Sequence, residues 1–187
     1  EFEDFVDTLS GVLRYVKAKN RSKHDVYLSW DEWNVWYKDM QMDGNWEEAP
    51  HLIEEVYNLE DALVVAMHFN AFIRHCNSVQ MANIAQIVNV IAPIFTNKEG
   101  LFLQTIFHPF ELYARTCGDI ALDVFWKGDT FSGGDHTGLR TLDVSATIDN
   151  AGKTLSVYVV NRSQTDDLET TISLDSIEFT GNVSISV

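Results

Sequence analysis

Apolar residues at Phe5, Val6, Leu9, Val12, Leu13 and Val16 recur with the spacing of one helical face and predict a helix over 4–19. Asp4 and Asp7 stand in its first turns and Lys17 and Lys19 near its end, the charge order that a helix dipole favours. A polar connection runs from Asn20 to Asp25. The pattern then changes, because Val26-Tyr27-Leu28-Ser29-Trp30 is an almost continuous apolar run that stops at Asp31-Glu32. Such a run predicts a strand buried on both faces, as in a parallel sheet covered by helices. Residues 38–57 are polar and irregular, with Asp43-Gly44-Asn45 as a turn. A second helix is predicted after Asn58 as its N-cap, with Glu60 and Asp61 in the first turn and Ala62, Ala66, Phe69, Ile73 and Cys76 on one face. Val79 to Ala85 reads as another buried strand, and 86–95 as an apolar loop or short helix closed by Pro93. Helix, strand, helix, strand is the order of βα repeats.

Near residue 105 the character changes, and nearly everything beyond reads as strand with turn signals. Leu142, Val144, Ala146 and Ile148 alternate with polar residues, Asp149-Asn150-Ala151-Gly152 makes a turn, and Leu155, Val157 and Val159 alternate again, predicting a hairpin. Leu168, Thr170, Ile172 and Leu174 repeat the pattern, as do Val183, Ile185 and Val187. Several short alternating strands predict a β-sandwich. A (β/α)8 barrel takes eight strands and about 250 residues. With two βα-type strands, 1–104 would be the closing portion of such a TIM barrel and 105–187 a C-terminal antiparallel, jelly-roll-like β-sandwich. The fold class expected is thus α/β plus all-β, in a chain that opens as if mid-helix and reads as part of a longer protein. A small free-standing α/β domain is the alternative, and it would leave both strands with exposed edges.

Charge changes the picture. The 13 basic and 28 acidic residues among 187 give a formal −15, which repels phosphate backbones and argues against a nucleic-acid partner, whereas a neutral sugar is not repelled. No run of about 18 apolar residues exists, so no membrane span is predicted. Cys76 and Cys117 have no metal-like spacing and read as buried or half-buried thiols. His68 and His75 lie on the same helix without a third ligand, which favours helix packing over a metal site, and His108 before Pro109 reads as turn-like. Asn20, Asn161 and Asn182 open Asn-X-Ser sequons, which matter only in a secreted protein; the sequence leaves the compartment open.

Candidate chemistry concentrates in Leu28-Ser29-Trp30-Asp31-Glu32-Trp33-Asn34-Val35-Trp36-Tyr37. Two carboxylates stand at the end of a predicted strand, where barrel enzymes place catalytic groups. Strand alternation predicts that one of Asp31 and Glu32 faces the pocket and the other anchors the loop. Flat rings such as Trp33 and Trp36 offer apolar faces to the C–H side of a sugar, and a carboxylate can attack an oxocarbenium-like centre. The same residues also fit a strand-end cap and core aromatics.

The segment Ser29 to Tyr37 resembles the nucleophile motif of glycoside hydrolase family 51, the α-L-arabinofuranosidases. Tyr57-Asn58-Leu59-Glu60-Asp61-Ala62-Leu63 resembles the helix that follows it. Ala85 to Ile94 is similar to the family's final barrel strand and exit loop, and Gln104 to Phe110 to the passage into its β-sandwich. The resemblance covers most of 1–115; beyond that only the strand pattern carries it. It implies a retaining hydrolase that releases arabinofuranosyl residues from arabinan- or arabinoxylan-type substrates, with Glu32 as nucleophile, Trp36 beside the substrate and Gln86 as a hydrogen-bonding amide. Trp33 and Asn34 belong to the motif as further substrate-binding candidates. No metal or organic cofactor is implied. Family members are often oligomers, so a homo-oligomer is an expectation from resemblance alone.

One departure is large. The family's acid/base is a Glu preceded by Asn, and this chain has no Asn-Glu pair. Glu47, Glu48, Glu54, Glu55 and Glu60 read as solvated surface, so the chain is expected to carry only half of a catalytic pair. Three other readings stay open: a family 51 enzyme cutting β-glucan or xylan backbones, a non-catalytic carbohydrate-binding module, and a structural sandwich. Exposed aromatics on one strand face, for which Tyr158 and Phe125-Trp126 are the candidates, would favour binding. Burial of those rings would favour a structural role.

Overall fold

The computed structural model describes residues 2–37, 48, 53–175 and 180–187. The turn expected at Asp43-Gly44-Asn45, and Glu47, lie outside the described residues.

Helix α1 (Phe2–Lys19) forms as its periodicity predicts. Val6 and Ser10 are buried, while Phe5, Val12, Tyr15 and Val16 keep an apolar stripe exposed. Strand β1 (Leu28–Trp33) starts two residues later than expected and carries Asp31 and Glu32 within it. Helix α2 (Leu59–Arg74) opens on the expected N-cap. Asn58 Oδ1 accepts from the Glu60 and Asp61 N–H groups, and Asp61 Oδ2 accepts from the Asn58 N–H at 2.7 Å, so the first turn's donors are satisfied reciprocally. Strand β2 (Val79–Ile84) pairs with β1 in parallel, with α2 as the crossover. Neither strand is buried on both faces as the apolar run suggested, because only the α2 side of this two-stranded sheet is covered among the described residues.

The chain then makes a short hairpin of β3 (Ile94–Thr96) and β4 (Leu101–Leu103), closed by Asn97, whose side chain accepts from the Glu99 and Gly100 N–H groups. Helix α3 (Phe107–Thr116) follows, in a stretch expected to be turn and strand. Pro109 sits in its first turn, where a missing N–H costs nothing. Ile106, Phe110 and Tyr113 recur at helical spacing on its inner side.

Strands β5 (Ile120–Leu122), β8 (Leu142–Ile148) and β9 (Leu155–Asn161) make an antiparallel sheet in the order β5-β8-β9, and β6 (Thr130–Gly133) pairs with β7 (His136–Arg140). The β8–β9 hairpin follows the alternation, from Leu142 opposite Asn161 to Ile148 opposite Leu155. Its turn falls at Asp149–Gly152 as expected, with Gly152 at φ 66° and Asp149 Oδ1 accepting from the Lys153 N–H. The strands expected at 168–174 and 183–187 do not form. Alternating side chains are not enough without a partner strand for the ladder, and Val183, Ile185 and Val187 stand exposed. The topology is therefore mixed α/β followed by all-β.

Helix α2 has two working faces. One holds Val65, His68, Phe69 and Phe72 against Trp33 of β1, with Phe110 of α3 also on the indole. The other sets Ala66, Leu63, Met67 and Ile73 against Tyr113, Tyr158 and Val160. Polar groups lock this second contact. Fully buried Asn70 donates to Asp143 Oδ1 at 2.7 Å and accepts from the hydroxyls of Ser145 and Tyr113 at 2.6 and 2.7 Å. Arg74 donates to both carboxylate oxygens of Asp143, to the Val144 carbonyl and to Glu3 of α1. Half-burial alone would push the Glu3 carboxyl up, but Arg74, aided by His75, holds it below the usual carboxylate range. Burial pushes the Tyr113 phenol up, so it stays a neutral donor.

This packing also places the tail's aromatics. Tyr158 is 5% exposed, stacks on Tyr113 at 4.1 Å and bonds Thr116 through its hydroxyl. Trp126 donates to the Leu142 carbonyl and lies under Arg140, so of the three candidate platform rings only Phe125 is open.

Replacing Arg74 by Leu strands the Asp143 carboxylate, only 9% exposed, without its cation. The expected loss is roughly 3–5 kcal/mol in urea denaturation. His68 is packed against Phe2, Trp33 and Phe72, and burial lowers its pKa despite the acceptor at the Val64 carbonyl. The unfolded chain therefore takes up a proton first, near the ordinary histidine value of about 6.5, and stability declines as pH falls from there through the folded value. Denaturation at stepped pH should show this decline, at up to about 1.4 kcal/mol per pH unit, and His68→Phe should flatten it.

Candidate functional site

The carboxyl ends of β1 and β2 lie side by side, with Trp33 opposite Ile84 and the Ala85 N–H donating to the Trp33 carbonyl at 3.1 Å. In parallel sheets this is where ligands bind. Regular alternation would put Trp30 and Trp33 on opposite faces. A register shift intervenes, because Trp30 pairs with Ala82 and Trp33 with Ile84, giving β1 one residue more than β2. The bulge lets both indoles pack into the α2 core and leaves Asp31 and Glu32 both exposed. Asp31 accepts from the Ser29 hydroxyl at 2.6 Å, an anchoring bond. Among the described residues no hydrogen bond or ion pair holds the Glu32 carboxylate.

The other expected residues divide. Trp36 is 60% exposed just past β1, and Gln86 is exposed just past β2, across a cis Ala85–Gln86 peptide bond. Trp33 is 6% exposed, with His68, Phe69, Phe72 and Phe110 all within 6 Å of its ring centre, so it presents no face to a ligand. Asn34 is also turned inward. Its amide nitrogen donates to the Ala85 and Ile91 carbonyls at 2.7 and 2.5 Å, and its oxygen accepts from the Val35 N–H at 2.8 Å. Glu32, Trp36 and Gln86 thus share one exposed end of the sheet, while Trp33 and Asn34 form its support.

That support includes residues the sequence did not single out. Gln104 is 3% exposed; its nitrogen donates to the Glu55 and Ala92 carbonyls, and its oxygen accepts from the Tyr57 N–H at 3.0 Å. A polar residue in the apolar stretch Leu101 to Phe107 was the available signal, since a buried amide must find partners. Glu55, expected on the surface, is 8% exposed and accepts from the Tyr37 N–H. The Tyr57 hydroxyl donates to the Val35 carbonyl. Tyr37 donates to Asp61 at 2.5 Å, and this bond, with burial and the nearby acids, pushes its phenol up to about 12. Two isoleucines here have left-handed backbones, Ile53 at φ 41° and Ile91 at φ 40°, joined by the Ile91 N–H to the Ile53 carbonyl. For a β-branched residue this costs on the order of 1–3 kcal/mol and persists only where surroundings impose it.

No group of three or more His, Cys, Asp or Glu side chains among the described residues is arranged to hold a metal. No described helix is long and apolar enough to cross a membrane.

The α-L-arabinofuranosidase C-terminal domain family matches residues 31–187. The intracellular exo-α-(1→5)-L-arabinofuranosidase of Halalkalibacterium halodurans is 35% identical over 183 residues, 95% of this chain and 36% of that protein. The corresponding enzyme 1 of Bacillus subtilis is 36% identical over 183 residues, with the same coverage of 95% and 36%. Among solved structures, a family 51 α-L-arabinofuranosidase from Bifidobacterium longum superposes with a TM-score of 0.78 at 32% identity, over 86% of this chain and 33% of that one. The chain spans about a third of the length of the curated relatives it matches. It belongs to the family 51 α-L-arabinofuranosidases and corresponds to their C-terminal region.

Proposed function

We propose that this chain carries the nucleophile of a retaining α-L-arabinofuranosidase that releases terminal arabinofuranosyl residues from arabinan- or arabinoxylan-type substrates. The observation that supports this best is the exposed carboxylate of Glu32, without a hydrogen bond or ion pair among the described residues, at the carboxyl end of a parallel strand pair in a chain of this family. Glu32 attacks the anomeric carbon, the bond to the leaving oxygen breaks, and that oxygen takes a proton from a general acid. Water, giving its proton to the now deprotonated acid, then attacks the anomeric carbon of the glycosyl-ester, breaking its bond to Glu32, releasing arabinose and restoring the carboxylate. Trp36 lies against the C–H face of the sugar, and the Gln86 amide hydrogen-bonds its hydroxyls. Trp33 and Asn34 serve the site from beneath.

The acid/base belongs to the two thirds of the relatives' length that this chain does not span. We assign 1–104 to the closing βα units of a (β/α)8 barrel and 105–187 to a β-sandwich. The parallel β1–β2 pair with its helical crossover and the open apolar stripe on α1 support the barrel reading. The buried Tyr158, and the half-buried Trp126 tied to the Leu142 carbonyl and covered by Arg140, favour a structural sandwich over a sugar-binding one.

In the full-length protein, Glu32→Gln should lower kcat on an aryl arabinofuranoside by about four orders of magnitude, with the fold intact by circular dichroism. Near-normal turnover would reject Glu32 as nucleophile. These 187 residues assayed alone should release no arabinose; enzyme-like release would show that the acid also lies within them.

A further inference from the structure

The segment 85–92 carries Gln86 yet has little regular structure, so something other than a strand ladder must fix it. Two side-chain amides grip it near both ends. Asn34, from the end of β1, donates to the Ala85 and Ile91 carbonyls, 2.7 and 2.5 Å away. Gln104, from beyond β4, donates to the Ala92 carbonyl at 2.8 Å and to the Glu55 carbonyl at 3.0 Å. Each amide oxygen is also occupied, by the Val35 N–H and the Tyr57 N–H respectively. Neither side chain has a polar atom left over for a ligand. The grip falls on the strained point, because Ile91 is left-handed and its N–H is tied to the Ile53 carbonyl.

We infer that Asn34 and Gln104 are positioning residues, a pair of amide clamps that hold segment 85–92 so that Gln86 stands at a fixed place beside Glu32. Asn34 lies two residues after Glu32, so one clamp joins the carboxylate's strand directly to the Gln86 segment. This rests on the proposed reading of Glu32 and Gln86, but the clamping itself does not depend on catalysis.

The test uses the full-length protein and two variants of similar volume, Asn34→Leu and Gln104→Met, which remove the amide groups that grip the backbone. Hydrogen–deuterium exchange should rise roughly tenfold in peptides covering 85–92 and stay unchanged in β8–β9. Exchange in 85–92 equal to wild type, or raised equally throughout, overturns the clamp. A second readout separates positioning from mere stability. Each variant should lower kcat/KM by about 10- to 100-fold in the wild-type background. In a Gln86→Ala background it should lower it less than about threefold, because the residue being positioned is already gone. Additive losses would mean that the amides do not act through Gln86. Should the wild-type protein prove inactive on arabinofuranosides, the proposed function fails while the exchange result still decides the clamp. If one variant does not fold, the other carries both readouts.

Discussion

The burial of Trp33 is the constraint on which the rest of the structure turns. Its indole takes rings from α2 and α3, and no regular strand could deliver both Trp30 and Trp33 to the same core. The chain resolves the conflict with a bulge, and the bulge is what leaves Asp31 and Glu32 together on the open side. An apolar preference at one position thus sets the exposure of a carboxylate next to it. The hydrophobic effect acts on the indole, and the carboxylates beside it are left accessible. The indole nitrogen has no partner among the described residues, so ring packing outweighs an unmet donor.

Helix α2 transmits that constraint to the second half of the chain. Its Trp33-facing side fixes β1, and its opposite side seats β8 through Asn70 and Arg74 and packs on Tyr158 and Val160 of β9. Buried polar contacts of this kind stabilise little on balance, since desolvation offsets most of their attraction. Their geometry, however, admits one arrangement. Asn70 satisfies Asp143 and Ser145 of β8 and Tyr113 of α3 at once, and a shift of the sheet along α2 would break the two bonds to β8. The β5-β8-β9 sheet is thereby registered on the same helix that buries Trp33.

Much of this was legible from the chain alone where a local pattern decides the outcome. Helix α1, the Asn58 cap and the β8–β9 hairpin follow from periodicity, a capping residue and a turn, each acting within a few residues. The failures share a cause. Helix α3 was hidden because its histidine and proline read as a turn, while the stripe of Ile106, Phe110 and Tyr113 needed α2 as its counterpart to be meaningful. The alternation at 168–174 and 183–187 was real, but strands need partners, and alternation does not name one. In the candidate site, Glu32 and Trp36 could be picked out as candidates by their place after a predicted strand and by resemblance, and Gln86 by resemblance alone. The inward turn of Trp33 and Asn34, and the roles of Gln104 and Glu55, depend on contacts between segments 12 to 57 residues apart.

The central claim is that Glu32 forms a covalent bond to the sugar. The direct measurement is to treat the full-length protein with an activated arabinofuranoside whose glycosyl-enzyme intermediate is long-lived, then digest and map the labelled peptide by mass spectrometry. The account predicts one glycosyl unit per active site, carried on Glu32. A label on another acid, or steady turnover with no trapped intermediate, would contradict it and leave Glu32 as an exposed carboxylate of the scaffold.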